Sequence, residues 1–168
     1  MLAHKAVNYI RLNLGCGKKH WEGYVNVDLP GRGGELACDI RKLPYGEQEI
    51  GEVHAIHVLE HFRREEVPAL LKEWHRVLQP DGKLVLELPS RDKVFFWIRQ
   101  MPEPPEQMTL WAMYGDPTTI EGEPDMHKWL WGEQELKTAV AVAGFRDVQA
   151  VEPKFHVKRR DMRIEARK

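Results

Sequence analysis

The sequence predicts an open α/β fold: a mostly parallel sheet of seven strands that ends in a C-terminal antiparallel hairpin. Three observations predict it. Short β-branched runs separated by turn residues fill the first part of the chain, a clear amphipathic helix then leads through a turn into another strand, and two alternating runs close the sequence. The length of 168 residues suits one domain, able to bury roughly 70% of the surface its unfolded chain exposes.

Tyr9-Ile10-Arg11-Leu12-Asn13-Leu14 alternates with period two and stops at Gly15-Cys16-Gly17. Tyr24 to Asp28 is a second strand, closed by Pro30-Gly31; Glu35 to Cys38 is a third, and Val53 to Leu59 a fourth. Val67, Leu70, Leu71, Trp74, Val77 and Leu78 form one apolar stripe at helical spacing. Pro80-Asp81-Gly82 is expected to end that helix, because proline cannot continue the ladder and Asp-Gly favours a turn. Lys83 to Leu88 then reads as a strand, which completes a right-handed βαβ unit. The stretch 91–131 gathers prolines and tryptophans, and is expected to be an inserted cap or substrate segment of loops and short helices within a single domain. Gly132 to Ala143 reads as a helix with Gly144 just beyond its end, and Val148–Val151 with Met162–Ala166 as the terminal hairpin.

Composition excludes several classes. With 25 Lys+Arg against 26 Asp+Glu the chain has a formal net charge of -1, which argues against binding nucleic acid or anionic membrane by bulk electrostatics. No apolar run approaches the ~20 residues needed to span a bilayer, and the N-terminus lacks the pattern of a signal peptide. Two cysteines, Cys16 and Cys38, build neither a disulfide framework nor, alone, a zinc site. A soluble, cytoplasmic protein is expected.

In open α/β sheets ligands bind beyond the carboxyl ends of the strands. Gly15 and Gly17 end the first strand, where a backbone without Cβ atoms can turn sharply and approach a ligand closely. Asp28 ends the second strand, where a carboxylate can accept both hydroxyl hydrogens of a ribose. Asp39 follows the third, where one can accept from an adenine amine. Three such features at successive strand ends point to an adenosine pocket.

The phrasing resembles a family. Leu12-Asn13-Leu14-Gly15-Cys16-Gly17 is similar to the glycine motif of class I S-adenosyl-L-methionine-dependent methyltransferases, and Cys38-Asp39-Ile40-Arg41-Lys42-Leu43-Pro44-Tyr45 to their adenine-contacting segment. Ile56-His57-Val58-Leu59-Glu60-His61-Phe62 resembles the signature of the type 11 branch. Leu70 to Gly82 resembles the helix and turn before the fifth strand, with Asp81 where glycine is usual, and Leu136 to Phe145 a late helix. The resemblance spans residues 9–151 with 91–131 unmatched. It implies a Rossmann-like sheet and S-adenosyl-L-methionine as cofactor. Gly15, Cys16 and Gly17 would line its methionine and ribose part, Asp28 would hold the ribose, and Asp39 with the Ile40 backbone would hold the adenine. His57 would sit beside the cofactor, facing substrate. Asn13, grouped with the cofactor residues, stands where an acid is common, and Lys18 where a third glycine is usual.

Only ten residues separate Gly17 from Asp28, and 29–34 is likewise short, so the helices that usually flank the first strands are missing. Since parallel strands are commonly apolar on both sides, the uncovered face is expected to need a cover: the 91–131 segment, a second copy of the chain, another protein, or simply loops and tryptophans such as Trp21.

The implied activity is methyl transfer to a small molecule or glycan at oxygen, with no nucleic acid or membrane partner. A hydroxyl acceptor calls for a base, and His57, His61 and His127 are the candidates; His54 is read as a packing residue. His57-x-x-Glu60-His61 is a common accidental grouping, so no metal site is expected. The alternative from another class is a cofactor-binding protein or partner subunit without catalysis. A nicotinamide dehydrogenase is set aside, because the loop after Gly17 lacks the final glycine and the helix.

Overall fold

The computed structural model describes residues 9–100 and 107–168. Among them β1 (Ile10–Leu14), β2 (Val25–Asp28), β3 (Leu36–Ala37), β4 (Ile50–Ile56), β5 (Leu78–Pro89), β6 (Arg146–Val151) and β7 (Asp161–Arg167) form one sheet in the order β3-β2-β1-β4-β5-β7-β6. β1 to β5 pair in parallel, while β7 runs antiparallel to both β5 and β6. This is the expected Rossmann-like architecture, with β6 as the edge strand. No helix of the described residues is long and apolar enough to cross a membrane.

Helices α1 (Val67–Val77) and α4 (Glu133–Val142) cover one face. Leu70, Leu71 and Trp74 of α1 and Leu136 and Val140 of α4 pack with Leu12, Val53, Leu84 and Ile164 of the strands in one buried core. Trp74 is fully buried, and its indole N–H donates to the Ile40 carbonyl at 3.1 Å. The helix stripe thereby fixes the loop that carries Asp39. Gly144 ends α4 at φ 107, the left-handed conformation expected of a glycine just past a helix.

Two boundaries differ from expectation. The fourth strand is Ile50–Ile56 rather than Val53–Leu59, because His57 turns the chain at φ 55 and Leu59–His61 forms a 3-10 turn. Pro80-Asp81-Gly82 does not separate helix from strand. The helix stops at Val77, Leu78 already pairs with Ile50, and Lys83 pairs with Glu52, so residues 79–82 bulge out within β5. Asp81 takes φ 63 at the apex, a conformation that aspartate tolerates where glycine is usual.

The second sheet face corrects a larger expectation. Among the described residues no helix lies between β1 and β2 or between β2 and β3, yet this face is not apolar. Arg11, Asn13, Glu52, His54, Lys83, Glu87, Arg163 and Glu165 line it in register across four strands. Glu87 is fully buried; it accepts the Arg163 guanidinium at 3.2 Å and the backbone N–H groups of Lys154, Phe155 and His156 at 2.9, 2.7 and 3.1 Å. The β6–β7 connection is thus drawn across the face by one carboxylate. There Phe155 stacks on Trp21 at 4.7 Å, and Trp21 and Tyr24 close edge-on over His54. Burial pushes the His54 imidazole down to about 4, as suits a packed residue. Loops and an ionic lattice cover what helices would have covered.

Among the described residues, segment 91–131 packs elsewhere. It leaves and rejoins the fold at one point, where the Arg91 N–H donates to the Trp131 carbonyl at 2.8 Å. It contains α2 (Arg91–Gln100) and α3 (Gln107–Tyr114); residues 101–106 lie outside the described residues. Trp97 of α2 donates to the Arg159 carbonyl at 2.9 Å, and the Lys128 N–H to the Glu60 carbonyl at 2.7 Å, so the segment packs beside the carboxyl ends of the strands.

Candidate active site at the strand tips

A cleft of about 680 Å³ opens beyond the ends of β1, β2 and β4, a size suited to a cofactor-sized ligand. Gly15, Gly17, Asp28, Asp39, Ile40, His57 and His61 line it, together with Glu123–Asp125 and Lys128 of the 91–131 segment. Arg32, from the β2–β3 connection, pairs with Asp125 across its mouth.

Gly15 and Gly17 adopt φ 63 and 51. At Gly15 a Cβ would stand 2.6 Å from Val58 Cγ2, so the turn fits only without a side chain; at Gly17 the space is open and the left-handed backbone alone favours glycine. Asp28 ties the two strand tips together, accepting the Gly17 and Leu29 N–H groups at 2.7 Å each. A carboxylate offers about four lone-pair positions, so two remain for a ligand.

Two residues of the glycine motif are not among those that line the cleft. Cys16 is buried, and desolvation, with the Asp28 charge beside it, pushes its thiol up to about 11; it packs as an inert side chain. Asn13 is buried on the polar sheet face, where its amide donates to the Lys19 carbonyl and to Asn26 Oδ1, both at 2.9 Å. It supports the loop after the glycines from behind. Asp39 lines the cleft in a forked ion pair with Arg41, at 2.7 Å from Nη2. Hydrogen bonds from that guanidinium hold its carboxyl below the usual range.

His57 is clamped. Its Nδ1 lies 2.9 Å from Glu60 Oε1 and its Nε2 lies 3.1 Å from Asp161 Oδ2, both acids being buried. Burial alone would lower its pKa, but the Glu60 and Asp161 charges outweigh it and raise it to about 9. Asp161 also accepts the Val157 N–H and the Arg160 guanidinium. Sequence reasoning missed Asp161: no local motif marks it, and only the antiparallel pairing of Pro89 with Asp161 brings it to the tip of β4.

Burial opposes ionisation of Asp161, but His57 and Arg160 overcome it and hold the carboxyl at about 2. Lys93, whose Nζ meets the Asp161 carbonyl, and His156, beside His57, complete its charged surroundings. A folded-state pKa below the unfolded value of ~3.9 contributes stability above that pH and loses it as pH falls through the folded value. In urea unfolding, Asp161→Asn is therefore expected to be less stable than the parent chain by about 2 kcal/mol at pH 5. That gap is expected to close between pH ~4 and ~2; a gap independent of pH would contradict the assignment.

Behind His57 lies a second group. Glu60 is 1% exposed, and although burial opposes its charge, His57, His61 and His127 hold it at about 2. The His61 and His127 rings meet edge-on at 4.9 Å. His127 Nδ1–H donates to the Ala112 carbonyl at 2.9 Å, and burial lowers its pKa against the opposing pull of Glu60. Of the predicted histidines, His57 and His61 line the cleft, and His127 stands behind His61.

Residues 25–86, from β2 into β5, match the family described as a methyltransferase domain. Among curated proteins no sequence matches the chain. Solved structures share its fold. A SAM-dependent methyltransferase from Archaeoglobus fulgidus is 18% identical, with 95% of this chain and 86% of that one covered at a TM-score of 0.66. An S-adenosylmethionine-dependent methyltransferase from Mesorhizobium loti is 15% identical, with 96% and 91% covered at 0.64. One from Methanosarcina mazei is 19% identical, with 94% and 91% covered at 0.60. The cleft fits such a cofactor by its volume, its Cβ-free turn and the lone pairs left on Asp28. The methyltransferase-domain match over residues 25–86 and the shared fold make the chain similar to S-adenosyl-L-methionine-dependent methyltransferases, and the residues of its cleft fit that cofactor.

Proposed function

We propose that the chain methylates a hydroxyl oxygen of a small molecule or glycan. The observation that carries this reading is the meeting, in one cleft, of the Gly15–Gly17 turn, the two strand-end aspartates and a histidine-carboxylate group at the β4 tip. The cofactor supplies an electrophilic methyl group on a sulfonium sulfur. Asp28 would accept the two ribose hydroxyls through its remaining lone pairs, and its bonds to Gly17 and Leu29 fix the carboxylate beforehand. Asp39, now paired with the exposed Arg41 side chain, would accept the adenine amine, and the Ile40 backbone would border the ring. Cys16 and Asn13 shape the turn from behind.

His57 is a positioning residue in this scheme rather than the base, because both of its ring nitrogens already face carboxylates. It fixes Glu60 on one side and the start of β7 on the other. Activation of the acceptor falls to Glu60, His61 and His127, with His61 on the cleft wall. With the cofactor bound, this group would take the proton that the acceptor hydroxyl gives up as its oxygen receives the methyl group.

Transfer of a radiolabelled methyl group from S-adenosyl-L-methionine to hydroxyl-bearing small molecules and glycans tests the reading. Turnover is expected in the parent chain and to fall by about 100-fold or more in His61→Ala, with cofactor affinity little changed. Undiminished turnover in that variant, or transfer to nitrogen acceptors alone, would contradict it.

A further inference from the structure

We propose that Glu60, His61 and His127 form a binding site for a divalent cation of the zinc type. One ligand atom from each of the three lies within 4.8 Å of the others. Bound to one ion at ~2.0–2.2 Å, such atoms stand roughly 3.3 Å apart, so closing the set takes side-chain adjustments of about an ångström.

The polar atoms at this point lack the partners that burial demands. Glu60 Oε2 has no hydrogen-bond partner, and His61 Nδ1 is likewise buried without one. Oε1 keeps its ion-pair contact with His57, which leaves Oε2 free for a metal. His127 is set for ligation. Because its Nδ1 carries the hydrogen donated to Ala112, its Nε2 presents a lone pair, the arrangement in which a carbonyl orients a metal-binding imidazole. The His57 contact plays the matching part for the carboxylate.

Two imidazoles and one carboxylate suit zinc and its first-row neighbours, whereas magnesium and calcium favour oxygen throughout. Three protein ligands leave a fourth position, and since His61 lines the cleft that position is within reach of its contents. If the cleft works as proposed above, an acceptor hydroxyl could take that place, and only this consequence rests on that reading. A second grouping, His57, His156 and Asp161, is a weaker site: both His57 nitrogens face carboxylates and His156 Nε2 lies 3.0 Å from Lys19 Nζ.

The full chain, stripped with a chelator and kept free of S-adenosyl-L-methionine, is titrated with Co²⁺ while its visible d–d absorption is followed, and with Zn²⁺ by equilibrium dialysis. The expected result is one saturable equivalent, with intense bands of a low-coordinate Co²⁺ site. His127→Ala is expected to weaken binding by at least about 100-fold, the upper end of what loss of a mere outer partner costs. His156→Ala is expected to leave it unchanged, and circular dichroism reports whether each variant is folded. No saturable equivalent in the parent chain overturns the proposal whatever the variants do, as does equal binding by folded His127→Ala. Because no cofactor is present, either failure leaves the methyltransferase reading untouched.

Discussion

Asp28→Ala is expected to weaken binding of S-adenosyl-L-methionine by about 100-fold or more, read by calorimetry. Hydrogen bonds to a charged group contribute about 1.5–3 kcal/mol each, and this carboxylate has two positions left for the ribose hydroxyls. Asp28 is only half-buried, so after its removal water can reach the Gly17 and Leu29 N–H groups and the fold should survive. Asp28→Asn keeps one acceptor oxygen without the charge and should fall between the two. Equal affinity in the parent chain and Asp28→Ala would place the ribose elsewhere.

The second large effect concerns stability. Glu87→Ala is expected to cost about 3–5 kcal/mol in urea unfolding, the range for breaking one partner out of a buried ion pair. Arg163, 3% exposed, would lose the Glu87 carboxylate that compensates it on that side, and three backbone N–H groups at 154–156 would lose their acceptor. The β6–β7 connection should then lift, breaking the stack of Phe155 on Trp21 and exposing His54. Exchanging both charges for apolar residues of similar size, Glu87→Met with Arg163→Leu, should recover part of the loss. A change below ~1 kcal/mol in Glu87→Ala would mean that the ionic lattice is not what covers this face.

How much the sequence revealed followed the range of the interactions. The tips of β1 and β2 were legible because a strand, a glycine turn and an acid are neighbours in the chain. The α1 stripe was legible because helical periodicity is local, and Trp74 then carried that legibility to the Asp39 loop through Ile40. The end of β4 was misplaced by three residues, since Val58 and Leu59 look like strand residues and only the left-handed turn at His57 separates them from it. Pro80-Asp81-Gly82 carried the right turn chemistry, but a bulge held within a strand depends on the neighbouring β4 register.

The polar sheet face was partly visible. Lys83, Val85 and Glu87, like Arg163 and Glu165, occupy alternate positions that point away from the helices. The expectation of apolar strands on both sides came from parallel sheets whose two faces are both covered by helices. The missing helices and the charged alternation are two signs of one arrangement. The Asp161 side of the clamp on His57 and the meeting of His127 with Glu60 and His61 had no local signal, because each joins residues more than sixty positions apart.

The most direct test of the central claim is a crystal structure of the full chain grown with S-adenosyl-L-homocysteine. The account predicts adenosine across the tips of β1, β2 and β3, its ribose on Asp28, its adenine beside Asp39 and Ile40, and its sulfur turned toward the His57–His61 wall. Ligand bound away from those tips, or none bound at saturating concentration, would contradict it.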